Sequence, residues 1–240
     1  MLNKFKQAAV FSLGTLISTT AFAEINANLG ATTEYVREGI SQTRGKPTLQ
    51  AGLTWQHNSG FYLGGWASGM DHRNDDDLNL EADYFAGVYL PINKDIALDL
   101  SATRYTFNGD DDKSVRYQDY DALSASLLVN DRWSIRWEGS QDYLGTDHSW
   151  QSISTSYVFP IRDFNLEFYL GNYHWLNKDV EEGAIYTAGG KSHYWHFRIA
   201  AERTWKKWDY RLTIERTNLG KSYDAGTIFQ FGVHRYFKLL

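Results

Sequence analysis

The sequence predicts an all-β protein: a single twelve-stranded antiparallel up-and-down transmembrane β-barrel. Three observations carry this. Apolar and polar residues alternate with period two over most of the chain, connections between alternating segments are short and long by turns, and aromatic residues gather near segment ends. Composition narrows the field further. The chain holds 9 Trp, 16 Tyr and 13 Phe, yet its mean hydropathy is −0.49, so large apolar anchors sit in a polar chain. No run of about 20 apolar residues offers a membrane-spanning helix. With 0 Cys, disulfides, thiolate metal sites, iron–sulfur clusters and cysteine nucleophiles are all excluded.

The first 23 residues read as a Sec-type signal peptide. Lys4 and Lys6 form the basic start, Ala8 to Ile17 the apolar stretch, and Ala21-Phe22-Ala23 the small-x-small site, with cleavage before Glu24. No Cys follows the cleavage site, which excludes a lipoprotein. Residues 24–240 then form one barrel domain of acidic character. An acidic chain lacks the basic face that nucleic acid requires, and no nucleic-acid partner is expected.

Twelve strands are predicted at 25–36, 47–57, 60–69, 78–90, 95–107, 118–129, 131–142, 148–159, 163–175, 191–204, 208–218 and 226–237. In the fourth, Leu78, Leu80, Ala82, Tyr84, Ala86 and Val88 alternate with Asn79, Glu81, Asp83, Phe85 and Gly87. Trp133, Ile135 and Trp137 oppose Ser134, Arg136 and Glu138, and Trp208, Tyr210, Leu212 and Ile214 oppose Asp209, Arg211, Thr213 and Glu215. Such alternation puts one face in an apolar medium and the other in a polar one.

Tight turns at Asn58-Ser59, Pro91 to Lys94, Asn130-Asp131, Pro160 to Arg162 and Trp205 to Lys207 alternate with loops at 37–46, 70–77, 108–117, 143–147, 176–190 and 219–225. All tight turns therefore lie at one end, as in outer-membrane barrels with short periplasmic turns and longer extracellular loops. Pro47, Pro91 and Pro160 sit at strand ends, where no ladder donor is needed.

Periodicity alone does not say which face is outside. A soluble β protein alternates too, with its apolar face inward. The aromatics favour the membrane barrel. Trp55, Phe61, Trp133, Phe159, Phe164, Trp205, Trp208 and Phe237 lie beside tight turns, while Tyr35, Trp175 and Trp195 lie toward the loop end. Two aromatic belts around an aliphatic band match membrane-interface girdles. In the last strand Phe229, Phe231, Val233 and Phe237 alternate with Gln230, Gly232 and His234. That pattern resembles the C-terminal signal read by the outer-membrane assembly machinery, although Arg235 interrupts the apolar phase and Lys238-Leu239-Leu240 follow the Phe.

The run Glu34-Tyr35-Val36-Arg37-Glu38-Gly39-Ile40-Ser41-Gln42-Thr43, then Gly45-Lys46-Pro47 and Leu49-Gln50-Ala51-Gly52-Leu53, is one signature. Ser59-Gly60-Phe61-Tyr62-Leu63-Gly64-Gly65-Trp66-Ala67-Ser68 is a second. Together they resemble the opening of the TorF-type porins, Gcw_chp-type bacterial outer-membrane proteins of unassigned substrate. Arg37-Glu38 stands where that family usually has Phe-Arg, which displaces the basic residue by one position. The resemblance covers about residues 34–90 and implies an outer-membrane location and a porin-like role.

With the apolar face outward, the opposite phase lines the lumen: Glu81, Asp83, Asp99, Glu138, Glu167, Glu202, Asp209 and Glu215 against Arg136, Arg198 and Arg211, with His196 and His234. Eight acids against three arginines imply a weak cation preference in an open pore. The same charges, paired as Arg198 with Glu202 or Arg211 with Glu215, would instead brace a filled barrel. No catalytic residues are assigned. His57-Asn58-Ser59 has the His-x-Ser spacing of outer-membrane lipid hydrolases but falls in a tight turn, and His148-Ser149 lacks the spacing. His72 beside Asp75-Asp76-Asp77, and Asp110-Asp111-Asp112, read as hydrated loops without the ligand spacing of a calcium loop. No metal and no cofactor is expected. The 176–190 loop is long enough to fold into the pore as a constriction. The expected partners are the lipid bilayer and lipopolysaccharide, the assembly machinery and small solutes. The expected function is passive diffusion of small hydrophilic solutes. The alternative is a non-conducting structural or adhesive barrel.

Overall fold

The structure, a computed structural model, describes residues 23–71, 78–109, 118–176, 192–219 and 223–240. The expected signal peptide up to Phe22, His72, both aspartate triplets and nearly all of the 176–190 loop lie outside the described residues.

Twelve strands close into one antiparallel barrel: β1 Ala23–Thr32, β4 Thr48–His57, β5 Phe61–Gly69, β6 Leu80–Pro91, β7 Ile96–Asn108, β8 Tyr120–Val129, β9 Trp133–Ser140, β10 Trp150–Ile161, β11 Phe164–Trp175, β12 His193–Trp205, β13 Trp208–Thr217 and β14 Thr227–Lys238. Each strand pairs with its sequence neighbour in the barrel, and β1 closes the ring against β14, from Asn26↔Lys238 to Thr32↔Gly232. Closure removes the unpaired edges an open sheet would present. A 3₁₀ turn, Tyr143–Gly145, follows β9.

Exposure settles the orientation of the two faces. Leu212 is 61% and Phe229 71% exposed, whereas Glu81 and His196 are 0% and 2% exposed. A water-soluble barrel would hide the first pair and wet the second. Here the aliphatic and aromatic phase forms the outer surface and the charged phase fills the interior, the arrangement that a lipid-facing barrel requires.

The tight turns are short because their residues accept left-handed backbone. Asn130 and Asp131 have φ of 53° and 54°, and Lys206 and Lys207 have 49° and 71°. Two-residue turns of this hand match the twist of the flanking strands. At Gly60, φ is 90° and a Cβ would collide with the Tyr89 carbonyl oxygen, so only glycine fits.

The expected first strand, 25–36, ends early at Thr32. The Thr32 hydroxyl donates to the Glu34 carbonyl at 2.8 Å, which turns the chain off the ladder. Beyond this point the chain does not loop outward. Residues 36–41 form a miniature hairpin, β2 Val36–Arg37 and β3 Ile40–Ser41, folded into the barrel at the end that carries the long connections.

Candidate functional site in the barrel lumen

The hairpin turns on two residues. Glu38 and Gly39 have φ of 55° and 79°, a left-handed pair between the partners Arg37 and Ile40. A Cβ on Gly39 would collide with the Thr217 methyl group, so the tip touches the far wall. Polar ties hold the hairpin. Tyr35 N–H donates to Thr43 Oγ1 at 3.0 Å, Ser41 N–H to the Asp224 carbonyl at 2.9 Å and Asp71 N–H to the Gln42 carbonyl at 2.8 Å. Arg44 and Lys46 both pair with the Asp71 carboxylate. Ile40, Ser41, Gln42 and Thr43 are buried.

Arg37 is the centre of the contacts. Its Nη1 donates to Glu81 Oε1 at 2.8 Å, and Nη2 donates to the Tyr120 hydroxyl. The guanidinium carbon lies 4.6 Å from the Tyr105 ring centroid, 5.5 Å from Tyr120 and 5.6 Å from Phe107, close enough for cation–π attraction. Glu38 receives the Tyr143 hydroxyl at 2.5 Å, and its carbonyl receives the Tyr194 hydroxyl at 3.0 Å. Burial pushes the Glu38 carboxyl up to about 7, partly opposed by the Arg37 charge and the Tyr143 bond. Burial and then the Glu81 charge also raise the Tyr35 phenol well above its ordinary value.

Around the hairpin runs a wall of rings. Tyr105 stacks on Tyr120 at 4.7 Å, Tyr143 on Trp150 at 4.6 Å and Tyr173 on Tyr194 at 4.8 Å. An edge contact, Tyr120–Tyr143 at 5.1 Å, and a tilted one, Trp175–Tyr194 at 5.8 Å, help to link them. Such pairs contribute about 0.5–1.5 kcal/mol each beyond their burial.

Farther along the lumen the charges pair closely. Glu167 joins two arginines, Arg198 at 2.7 Å and Arg211 at 2.5 Å, and Arg211 also reaches Glu202 at 3.2 Å. His196 bonds Glu215 at 2.7 Å. Arg136 binds Glu138 at 2.9 Å, and Tyr105 donates to the other Glu138 oxygen at 2.8 Å. Asp99 accepts the Tyr62 hydroxyl at 2.9 Å, and Asp209 that of Thr204. His234 lies in the same phase, opposite Asp209 in the β13–β14 register.

All thirteen residues expected in the lumen phase are buried or half-buried on the inner side of their strands. Of the pairs expected to brace the barrel, neither Arg198–Glu202 nor Arg211–Glu215 forms. Cross-strand neighbours win over residues four apart on one strand, because a strand separates the latter by about 13 Å. Among the expected outer aromatics, Phe61, Trp133, Phe159, Phe164, Trp195, Trp205 and Trp208 are exposed, and Trp55 and Phe237 are half-buried. Two expectations are corrected. Trp175 is 5% exposed and belongs to the interior ring wall, since it shares strand parity with Glu167 and Tyr173. Tyr35 packs inside, edge-on to Trp66 at 5.3 Å, because the chain has already left the sheet. Arg235, which interrupts the apolar phase of β14, lies over Trp208 and Phe237 at 5.4 and 5.0 Å. Sequence reasoning missed Arg37, Glu38 and the interior tyrosines. The parity of Tyr105, Tyr120, Tyr173 and Tyr194 with polar neighbours was the available signal, as was the Glu-Gly pair for the hairpin turn.

The described residues hold no cluster of three metal-ligating side chains. His57 Nδ1 and Ser59 Oγ lie 2.9 Å apart in an exposed tight turn. The arrangement is a charged, ring-walled lumen narrowed by its first long connection. A family model described as "Bacterial protein of unknown function (Gcw_chp)" matches residues 18–209. The chain belongs to the Gcw_chp family. No curated protein matches this Gcw_chp sequence. Among solved structures it is similar to a KdgM porin, with a TM-score of 0.52, 11% identity, and coverage of 89% of this chain and 99% of that one. A KdgM porin in complex with disordered oligogalacturonate gives a TM-score of 0.50 at 10% identity, covering 89% and 99%. At such identities the likeness establishes the fold shared by this Gcw_chp protein and those porins.

Proposed function

We propose that this Gcw_chp protein is an outer-membrane channel for small hydrophilic solutes, narrowed at its extracellular end by the 33–47 connection. The observation that carries the reading is the inverted barrel itself, a closed ring of twelve strands with apolar side chains outside and charged ones inside. The signal peptide pattern before Glu24 supports export, and the alternation of β14 supports assembly by the outer-membrane machinery into a bilayer with lipopolysaccharide outside. The signature over residues 34–68 supports the narrower TorF-type assignment. The acidic excess of the lumen supports a weak cation preference. The channel is preferred to an enzyme because the His57–Ser59 pair sits in an exposed tight turn, outside the lumen.

A second reading, a non-conducting structural or adhesive barrel, is favoured by one observation: the Arg198–Glu167–Arg211–Glu202 chain is closely matched in charge. Single-channel recording in planar bilayers under a KCl gradient separates the two. The channel gives discrete steps with a cation-directed reversal potential, and larger steps once residues 34–46 are replaced by a short Gly-Ser linker. Silence from folded, inserted protein of both forms establishes the non-conducting barrel. An anion-directed reversal keeps the channel and removes the cation preference.

A further inference from the structure

We infer that the lumen pocket filled by Arg37 is a binding subsite for small organic cations of the guanidinium class, with the hairpin's own arginine as its built-in occupant. The pocket walls belong to the barrel and not to the hairpin: Glu81 on β6, Tyr105 and Phe107 on β7, and Tyr120 on β8. They persist when the hairpin leaves. Their chemistry is that of guanidinium recognition. A carboxylate and a phenol oxygen meet the two terminal nitrogens of the fork, and ring faces cover its plane.

The pocket sets a second carboxyl beside the one that pairs with Arg37. Glu81 is 0% and Asp83 9% exposed, two positions apart on one face of β6. Glu81 Oε2 and Asp83 Oδ1 accept no hydrogen bond among the described residues. A buried carboxylate is neutralised by a proton or by a cation, and a guanidinium that meets Glu81 competes with the proton for it. Arg37 supplies one from the strand residue next to a two-residue turn, at the end where a solute would enter. Tethering gives such an occupant an effective concentration in the millimolar range, against which a free ligand must compete. Apparent affinity for a free cation is therefore low in the parent and rises when the arginine is removed.

The inference rests on the barrel and not on conduction, so its test is read in detergent micelles, where the channel reading has no influence. Calorimetry on the refolded full chain uses ethylguanidinium, with ethylurea as the neutral isostere and ethylammonium as the compact cation. Arg37→Ala is expected to bind ethylguanidinium at least about tenfold more tightly than the parent. Ethylurea should not bind, ethylammonium should bind more weakly, and adding Glu81→Gln should abolish the gain. Refolding is verified by heat-modifiable gel mobility, and Arg37→Met serves if the alanine variant does not refold. A second readout needs no variant: ethylguanidinium, unlike ethylurea, should speed chymotrypsin cleavage after Tyr35 in the parent by releasing the hairpin. Equal affinity in parent and variant, binding of ethylurea, or a gain that survives Glu81→Gln overturns the site. Ethylammonium binding as tightly as ethylguanidinium overturns the guanidinium class, and unchanged cleavage overturns the role of Arg37 as a displaceable occupant.

Discussion

Glu38 is the residue at which protonation and hairpin docking are coupled. Its carboxyl titrates near 7 when docked and near 4.5 when solvated. The docked state therefore binds the proton more tightly, and docking is favoured most fully below the solvated value. That contribution is lost as the pH rises from about 4.5 through about 7, because each step deprotonates a carboxyl that must then stay charged in a buried place. Glu38→Gln should make docking independent of pH over this window. Chymotrypsin cleavage after Tyr35 measures it: the parent should be protected in acid and cut faster in mildly alkaline buffer, relative to an unfolded control, while the variant should keep one ratio throughout. A variant that retains the parent's pH profile would assign the effect to another group.

At the scale of elements, turn chemistry decides how readily strands meet. Lys206 and Lys207 occupy left-handed backbone that lysine adopts at a cost, and they join β12 to β13 through the Trp205↔Trp208 pair. Replacing them with Asn-Gly should stabilise the barrel by about 1 kcal/mol, since both residues suit that turn. Urea unfolding followed by tryptophan fluorescence measures the change, and an unaltered or lower midpoint would show that Lys206, whose ammonium lies 4.5 Å from the Trp205 ring, contributes more than the strain removes. The same turn type explains why the hairpin escaped a strand-and-loop reading of the sequence. Tyr35-Val36-Arg37 keeps the alternation of β1, and only the positive φ at Glu38 and Gly39 reverses the chain.

Across the whole molecule, the lumen is a charge lattice shared among strands distant in sequence. Glu167 on β11 neutralises Arg198 on β12 and Arg211 on β13. Glu167→Gln should destabilise the barrel by on the order of 3 kcal/mol, because Arg198 would lose its carboxylate and Arg211 would keep only Glu202. Adding Arg198→Gln should recover part of the loss, as directly coupled partners are non-additive. A double variant no more stable than the single one would mean that the pair is not coupled. Urea midpoints with heat-modifiable mobility as a fold check measure both.

The sequence by itself determined the barrel: twelve strands, the order of short and long connections, and the phase that faces inward. Those features are local. Period two, turn residues and proline positions act within a few residues of one another, so they are written in the order in which they are read. For Trp175 too, parity with Tyr173 on β11 fixes the inward side. Only the tertiary structure decided where the 33–47 connection goes. Its partners are Glu81, Tyr120, Tyr143, Tyr194 and Asp224, which converge only when the ring closes. A polar connection on its own would remain in water. This one turns inward because the closed barrel offers its polar groups, in one place, a carboxylate, three phenols and a backbone carbonyl as partners.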